Sequence, residues 1–278
     1  VTLTAFVIRE LRTPQPLVKF DLLQYRSFAL GIAFSTALGF VMYGSLVLLP
    51  LFMQELLGWT AATAGVWTSP RGIATALCMP LVGYLLGKKW DPRWMLVFGF
   101  IVMSTAFFGY STMNLSSGTW DIFLHQINQG IGQTFLFVPL TILTMDPIPK
   151  QATGYATSLY SVMRNIGSSM GISFVTTWVA RRSQFHQNRL SADVSIFNPL
   201  TQQAIEQARG MFLRAGTDWL TANQRAIALV YATVQQQAAL LSFLDVFYLM
   251  AFLFLALVPL VFLMRKPKHG QGTTVNMH

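Results

Sequence analysis

The stretch WTSPRGIATALCMPLVGYLLG, residues 67–87, is long and apolar enough to cross a lipid bilayer. An α-helix needs about 20 mainly apolar residues to do so. The same stretch holds a permanent charge, Arg71, directly after Pro70. At about 1.5 Å per residue, Arg71 would lie roughly 15 Å deep in a span that begins near residue 61. A charge at that depth is costly, so we expect Arg71 to face protein or a water-filled cavity.

The composition of the chain favours an integral membrane protein. Hydrophobic residues make up 53% of the 278 residues and charged residues 10%, whereas soluble domains hold roughly 25% charged residues. The 19 Lys and Arg exceed the 10 Asp and Glu, which would also suit a nucleic-acid surface, but most charges lie between the apolar runs. This placement indicates membrane topology and argues against a nucleic-acid partner. The single cysteine, Cys78, excludes a disulfide framework and a cysteine-based metal site.

Six runs are long enough to span a membrane. We expect each to be helical, because backbone groups in hydrocarbon must bond within their own segment. They cover residues 28–53, 61–86, 94–113, 122–145, 155–180 and 246–264. The apolar run at the start of the chain is shorter, and we interpret it as the end of a truncated helix. The sequence thus predicts an all-α membrane protein, a bundle of six transmembrane helices preceded by a helix stump.

The positions of Lys and Arg orient these spans. They occur before the first span, in the second and fourth gaps and after the last span, whereas the short first and third gaps have none. The long fifth gap holds six arginines, but long loops translocate largely regardless of charge. By the positive-inside rule, the charged segments and the C-terminus are cytoplasmic. We divide the chain into a helix end and cytoplasmic linker at 1–27, five transmembrane helices at 28–180, an external loop at 181–242, the last transmembrane helix at 243–264 and a cytoplasmic tail at 265–278.

The external loop has a helical pattern of its own. Residues 198–216 and 221–241 mix apolar and polar side chains at helical spacing, which predicts two amphipathic helices. These helices would belong either to a solvated loop packed on the bundle or to a docking site for another protein. The solvated loop is the favoured interpretation, and both stay open.

A second arginine, Arg164, lies near the middle of the fifth span. Its helix face carries Tyr160 and two glycines, Gly167 and Gly171, whose GxxxG spacing permits close approach of another helix. In the second span, Trp67 precedes Arg71 by four residues and so lies on the same helix face. We predict that both arginines line an internal cavity. The alternative is that they bond to backbone carbonyls and only stabilise the bundle.

Three glutamines share one face of the fourth span. Gln126, Gln129 and Gln133 follow one another at helical spacing. In hydrocarbon such a stripe must face inward, so we predict that it lines a solvated central pathway. Hydrogen bonding between helices is the alternative. Asp146 lies at the end of this span, where a helix-end role is favoured over proton transfer.

The sequence does not indicate an enzyme or a metal site. It has no Ser, His and acid constellation, no P-loop and no dinucleotide motif, so no catalytic residue is proposed. His125 has no second His or carboxylate at metal-ligand spacing, and we expect His186 in the external loop to be solvated.

Several segments, taken in order, carry a resemblance to a known family. They are ELRTPQPLVKFDLL, YGSLVLLPLFMQELLGWTAATAGV, SPRGIATALCMPLVGYL, INQGIGQTFLFVPLT, GYATSLYSVMRNIGSSMGI and RRSQFHQNRL. In them the chain resembles the major facilitator superfamily and, more narrowly, the C-terminal half of the fourteen-helix drug/proton antiporters of the EmrB/QacA type. The resemblance extends over essentially the whole chain.

The resemblance implies a multidrug efflux transporter of the inner (cytoplasmic) membrane. It would export small amphiphilic molecules in exchange for protons, by alternating access, in contact with membrane lipid and with the missing N-terminal half of the same chain. The proton gradient would be its energy source, and no cofactor is implied. In Gram-negative relatives a periplasmic adaptor and an outer-membrane channel act with the permease.

The family pattern also assigns roles to individual residues. Arg71 and Arg164 match its arginines, and a set of small-residue and proline positions implied in helix packing comprises Gly130, Gly132, Pro139, Gly154, Gly167 and Gly171. His125 and Gln129 depart from the pattern, since a proline and an arginine are expected there. The resemblance implies that the proton-titrating carboxylates lie mainly in the N-terminal half. No Asp or Glu lies mid-span in this chain to replace them, so it is not expected to couple protons alone. The alternative function is a non-transporting membrane scaffold or a docking module for an adaptor.

Overall fold

The computed structural model describes residues 20–194 and 198–264, and their regular secondary structure is helical throughout. The seven α-helices of these residues are α1 (Arg26–Glu55), α2 (Ala61–Gly87), α3 (Pro92–Ser111), α4 (Thr119–Met145), α5 (Thr153–Asp193), α6 (Pro199–Arg214) and α7 (Trp219–Val261). Short 3-10 turns at Phe20–Gln24 and Lys150–Ala152 precede α1 and α5. The predicted helix stump and the cytoplasmic tail at 265–278 lie outside the described residues.

Side-chain caps fix where several helices begin. Thr60 precedes α2 and Asp91 precedes α3, and each accepts a hydrogen bond from a backbone N–H of the first turn. Asp218 does the same for α7, where the Thr221 backbone N–H lies 3.0 Å from its carboxylate. Hydrogen bonds from Thr221 lower the pKa of the Asp218 carboxyl, because they stabilise its charged form.

The helices pack in a ring. Helix α1 packs on α5, α5 on α7, α7 on α3, α3 on α4, and α4 on α2, while α6 lies against α7. Helix α1 also contacts α4 and α2, which closes the ring. Helix α2 is the least covered member, with Val66, Leu77 and Tyr84 more than half exposed.

The main apolar core lies among α1, α3 and α7. Phe107 of α3 and Phe254 of α7 are buried and stack with ring centroids 5.5 Å apart. Phe52 of α1 meets Phe247 of α7 edge to face at 5.9 Å. The Ser104 hydroxyl of α3 donates to the Ala251 backbone carbonyl of α7 at 2.9 Å, so this buried hydroxyl is satisfied.

By length and composition, α1, α3 and α7 each suffice to cross a membrane. The segments Thr119–Met145 and Lys150–Ala192 meet the same requirement only when taken together, and they are bent by 118° at the break between them. The described residues therefore hold three such helices, or four if the bent pair is one span, against the six that the sequence predicts.

The predicted external loop is mostly helix. Helix α5 runs to Asp193, beyond the predicted span end at 180, and α6 covers the first predicted amphipathic helix. The second is not separate, because α7 begins at Trp219 and continues without a break into the last apolar segment. Residues 219–258 contain no glycine or proline, so nothing in the sequence interrupts the helix there.

Candidate functional site

Arg71 lies where α2 and α4 cross at close range. A Cβ added to Gly130 of α4 would collide with the Arg71 backbone carbonyl, so only glycine permits this approach. Two hydroxyls join the same helices. The Thr75 hydroxyl lies 2.9 Å from the Arg71 carbonyl and 3.1 Å from that of Gly130, and the Thr134 hydroxyl lies 3.1 Å from the Thr75 carbonyl. The backbone around Arg71 is therefore fixed by packing and by hydrogen bonds.

A polar cluster occupies the space among α2, α3 and α4. The Arg71 side chain is half-buried and lies near the buried Tyr110 of α3. The Tyr110 hydroxyl donates to the Gln129 side-chain oxygen at 3.3 Å. One turn away, Gln126 is fully buried, and its two amide atoms have no hydrogen-bond partner in the described residues. The cluster thus combines one cation with an amide that is ready to bond.

His125 belongs to the border of this cluster. Its ring packs so closely on Gly109 of α3 that any side chain at position 109 would collide with it. It also meets the Tyr110 ring edge to face, with centroids 5.3 Å apart. The histidine that replaces the proline expected from the family pattern is accommodated by a glycine on the neighbouring helix.

Arg164 forms a second site, between α1, α4 and α5. Its guanidinium lies 5.8 Å from the ring centroids of both Phe137 and Tyr160, within cation–π range. Gly39 of α1 touches the Arg164 backbone carbonyl, and the Arg164 Nε is buried without a hydrogen-bond partner in the described residues. Within the same residues, no carboxylate forms an ion pair with Arg164 or Arg71.

The structure divides the other predicted pathway residues. Gln126 and Gln129 are buried within the packed helices, while Gln133 and Trp67 are half-buried. Trp67 packs near Trp59, with ring centroids 6.2 Å apart. Two glutamines of the stripe therefore sit at helix contacts, and the role of the set in a pathway stays a prediction.

The glycines of the family pattern differ in their surroundings. Gly167 and Gly171 of α5 lie against the backbone carbonyls of Thr36 and Phe40 in α1, where a Cβ would collide with the main chain. Gly132 packs in the same way on α3, and Pro139 is buried in α4. Gly154 is exposed, with nothing in the described residues within 4 Å of an added Cβ, so the structure does not bring it into a helix contact.

One cluster of ionisable side chains was not predicted from the sequence. Asp245 of α7 accepts hydrogen bonds from Arg182 Nε at 2.7 Å and lies 2.6 Å from His186 Nε2, both on α5. Arg182 and His186 are one helical turn apart, and Asp245 immediately precedes an apolar run. The four-residue spacing of Arg182 and His186 and the position of Asp245 before an apolar run were the available signal. The two helices are distant in sequence, so this signal did not show that the three side chains meet. His186 is consequently engaged in an ion-pair cluster, contrary to the expectation that it is simply solvated.

The fold and this site define a class of protein: a multi-pass helical membrane protein with buried polar clusters. The sequence profile of the Major Facilitator Superfamily matches residues 2–172, so the chain belongs to that family. The predicted resemblance is confirmed. The family consists of transporters, which confirms that the chain is not an enzyme. In the described residues, no group of three His, Cys, Asp or Glu is placed to hold a metal ion.

Curated relatives are similar over nearly the whole chain. The fatty acid resistance protein FarB of Neisseria gonorrhoeae is 30% identical over 98% of this chain and 52% of its own length. The multidrug export protein EmrB of Escherichia coli (strain K12) is 28% identical over 98% of the chain and 51% of its length. The Haemophilus influenzae EmrB is 30% identical over 96% and 51%. The chain spans about half the length of these relatives.

Proposed function

We propose that the chain forms the C-terminal half of a multidrug efflux transporter. The complete protein would export small amphiphilic molecules across the inner membrane in exchange for protons, by alternating access. The observation that carries this proposal is the similarity, along 98% of the chain, to proteins named for multidrug export and fatty acid resistance. The proton gradient would supply the energy, and no cofactor is required.

We further propose that α1, α2, α3, α4, α5 and α7 are six transmembrane helices. The three that do not qualify singly as spans, α2, α4 and α5, are those that carry Arg71, the glutamines and Arg164. Buried polar residues lower the apolar content of these helices, which supports treating them as pathway helices. The proposed boundaries are those given above, with the linker at 1–27, the external segment at 181–242 and a cytoplasmic C-terminus.

In the proposed mechanism, Arg71 and Arg164 act as fixed cations of the central pathway. Neither has a carboxylate partner in the described residues, so an acidic group of the N-terminal half is the natural counterion. A nearby cation lowers the pKa of a carboxyl group and thereby influences proton release. Trp67 and Tyr160 would add aromatic surface for an amphiphilic compound, and Gln126, Gln129 and Gln133 would add hydrogen-bonding groups.

A second candidate function is a non-transporting scaffold or docking module for a periplasmic adaptor, itself joined to an outer-membrane channel. The observation that favours it is the exposed apolar surface of the external helices. Leu200 and Met211 of α6 are 73% and 65% exposed, and Trp219 and Leu220 at the start of α7 are 61% and 62% exposed. Docking and transport are compatible within one protein, so the question is whether transport occurs at all.

The test uses the full-length transporter that contains this chain, expressed in cells that lack their own efflux pumps. The accumulation of a fluorescent lipophilic dye is measured with and without a protonophore. We expect low accumulation that rises to the empty-vector level when the proton gradient collapses. An adaptor is co-expressed in a parallel arm. Accumulation at the vector level in both arms, with the transporter present in the membrane and bound to the adaptor, would favour the docking module instead.

A further inference from the structure

A groove separates α5 from α7 at the end of their membrane segments. It has a volume of about 500 Å³ and is lined by Trp178, Arg182, Asp245, Tyr248, Leu249 and Phe252. Large aromatic rings form its walls. Tyr248 and Phe252 are both 57% exposed and Trp178 is 38% exposed, so the groove is open to the surroundings. Neither Arg71 nor Arg164 lines this groove, which is separate from the proposed pathway.

One end of the groove carries both signs of charge. Arg182 forms an ion pair with Asp245, and their side chains are 35% and 34% exposed. The contacts from Arg182 and His186 all fall on Asp245 Oδ2, so within the described residues Oδ1 is open to a further donor. A guanidinium has five N–H donors, and the contacts with Asp245 Oδ2 leave some of the Arg182 donors for a further acceptor. Cation and anion can each accept another partner.

The other end of the groove is apolar and runs along the membrane segment. Leu249 and Phe252 follow Asp245 by four and seven residues, which places them about 6 and 10 Å further along α7. Arg182 lies just beyond the apolar run 155–180, and Asp245 lies just before the run 246–264. The charged end is thus at a membrane boundary, where Trp and Tyr are also enriched.

We propose that this groove binds a zwitterionic phospholipid whose headgroup carries a primary ammonium, as in phosphatidylethanolamine. The phosphate would accept hydrogen bonds from Arg182, the ammonium would donate to Asp245 Oδ1, and an acyl chain would lie along Leu249 and Phe252. Charge complementarity selects this occupant. A trimethylammonium headgroup has no N–H to donate to Asp245, and a phosphoglycerol headgroup has no cation. The proposal requires a membrane protein but no particular transported compound.

The proposal is tested by native mass spectrometry of the purified full-length transporter. The protein is equilibrated in micelles with equal amounts of phosphatidylethanolamine, phosphatidylcholine and phosphatidylglycerol that carry identical acyl chains. We expect phosphatidylethanolamine to be retained about tenfold better than the other two, since one additional charge-assisted hydrogen bond is worth at least that factor.

Two charge variants separate the headgroup contacts. Asp245→Asn should reduce retention of phosphatidylethanolamine to the level of phosphatidylcholine, because the ammonium loses its anionic partner. Arg182→Gln should reduce retention of both lipids, because both use the phosphate. Glu206→Gln and Arg189→Gln make the same charge changes at exposed external positions and should leave retention unchanged.

A third variant covers the possibility that a charge variant loosens the contact between α5 and α7. Leu249→Trp fills the apolar end of the groove and keeps the ion pair, and it should reduce retention of phosphatidylethanolamine on a protein with unchanged thermal stability. Equal retention of the three lipids by the unmodified protein overturns the proposal, as does a preference that persists in all three groove variants. Tetraphenylphosphonium binding that requires Asp245, without a lipid preference, would make the groove a site for organic cations and also overturns it.

Discussion

Helices α1, α3 and α7 differ from α2, α4 and α5 in what they bury. The first group, the apolar helices, buries aromatic side chains such as Phe107 and Phe247, and each of its members is apolar enough to span a membrane alone. The second group, the polar helices, carries Arg71, Gln126 and Arg164 in buried or half-buried positions. Placing a polar group in hydrocarbon costs free energy, and a bundle held together by packing alone would not need such groups. Under the proposed function, we infer from this difference that the apolar helices mainly maintain the bundle, while the polar helices supply the groups of the transport pathway.

The largest expected effect lies where the two groups meet, at the crossing of α1 and α5. We expect Gly171→Leu to abolish assembly and export together, because a side chain at this position collides with the Phe40 main chain. The main chain cannot rotate away as a side chain can, so the helices must separate. The measurement is the amount of monodisperse full-length protein extracted from membranes, alongside dye export.

Gly154→Leu is the matched control for this crossing, because it makes the same substitution in the same helix. Nothing in the described residues lies within 4 Å of a Cβ at position 154, so we expect normal amounts of protein. If Gly171→Leu assembles normally, the close crossing of α1 and α5 does not exist in the membrane. A loss at Gly154 as large as at Gly171 would instead assign Gly154 to a contact with the remainder of the transporter.

The next effect isolates the polar helices. We expect Arg71→Ala to reduce dye export to the vector level while the amount of protein in the membrane stays normal. Arg71 has no ion-pair partner in the described residues, so its removal leaves no buried carboxylate uncompensated within this half. The measurement is export per transporter molecule, quantified from the membrane fraction.

Two further variants give this result its meaning. Arg71→Lys keeps the cation and should retain part of the export, whereas Arg189→Ala removes an exposed arginine outside the polar cluster and should retain all of it. Unchanged export by Arg71→Ala removes Arg71 from the mechanism. Loss of protein from the membrane would support the alternative that this arginine only stabilises the bundle.

Local patterns in the sequence predicted several individual elements of the structure. The spacing of Gly167 and Gly171 indicated a close helix contact, and residues 198–216 indicated an amphipathic helix that the structure contains as α6. Both signals depend on neighbours within one helix. The identity of the partner, α1, depends on a contact between segments more than 120 residues apart, which periodicity does not encode.

Contacts distant in sequence account for what sequence reasoning missed. The cluster of Arg182, His186 and Asp245 joins two helices about 60 residues apart, and each member alone resembles an ordinary residue at the end of a span. The continuity of α7 was also missed, because its polarity changes while its backbone does not. A change in polarity marks a change of environment, whereas a helix ends only where capping or a breaking residue ends it.

The smallest expected effect concerns Gln126. Its replacement should stabilise the protein, whereas Gly171→Leu should destabilise it. Both amide atoms of this fully buried side chain lack a partner in the described residues, and an unsatisfied buried polar group costs about 1–3 kcal/mol. Leucine has a similar volume and no polar atoms, so we expect Gln126→Leu to raise the melting temperature of the purified full-length protein. If Gln126 hydrogen-bonds a transported compound, the same variant should export less despite its greater stability.

Gln129→Leu is the matched control, one turn along the same helix. Gln129 accepts a hydrogen bond from the Tyr110 hydroxyl, so its replacement leaves a buried donor without a partner and should lower the melting temperature. Opposite shifts for identical substitutions would show that the amide of Gln126 is held unpaired within the bundle. A lower melting temperature for both variants would mean that Gln126 is hydrogen-bonded in the resting protein. Gln126 would then stabilise the packing of the polar helices, as the buried aromatic rings stabilise the packing of the apolar helices.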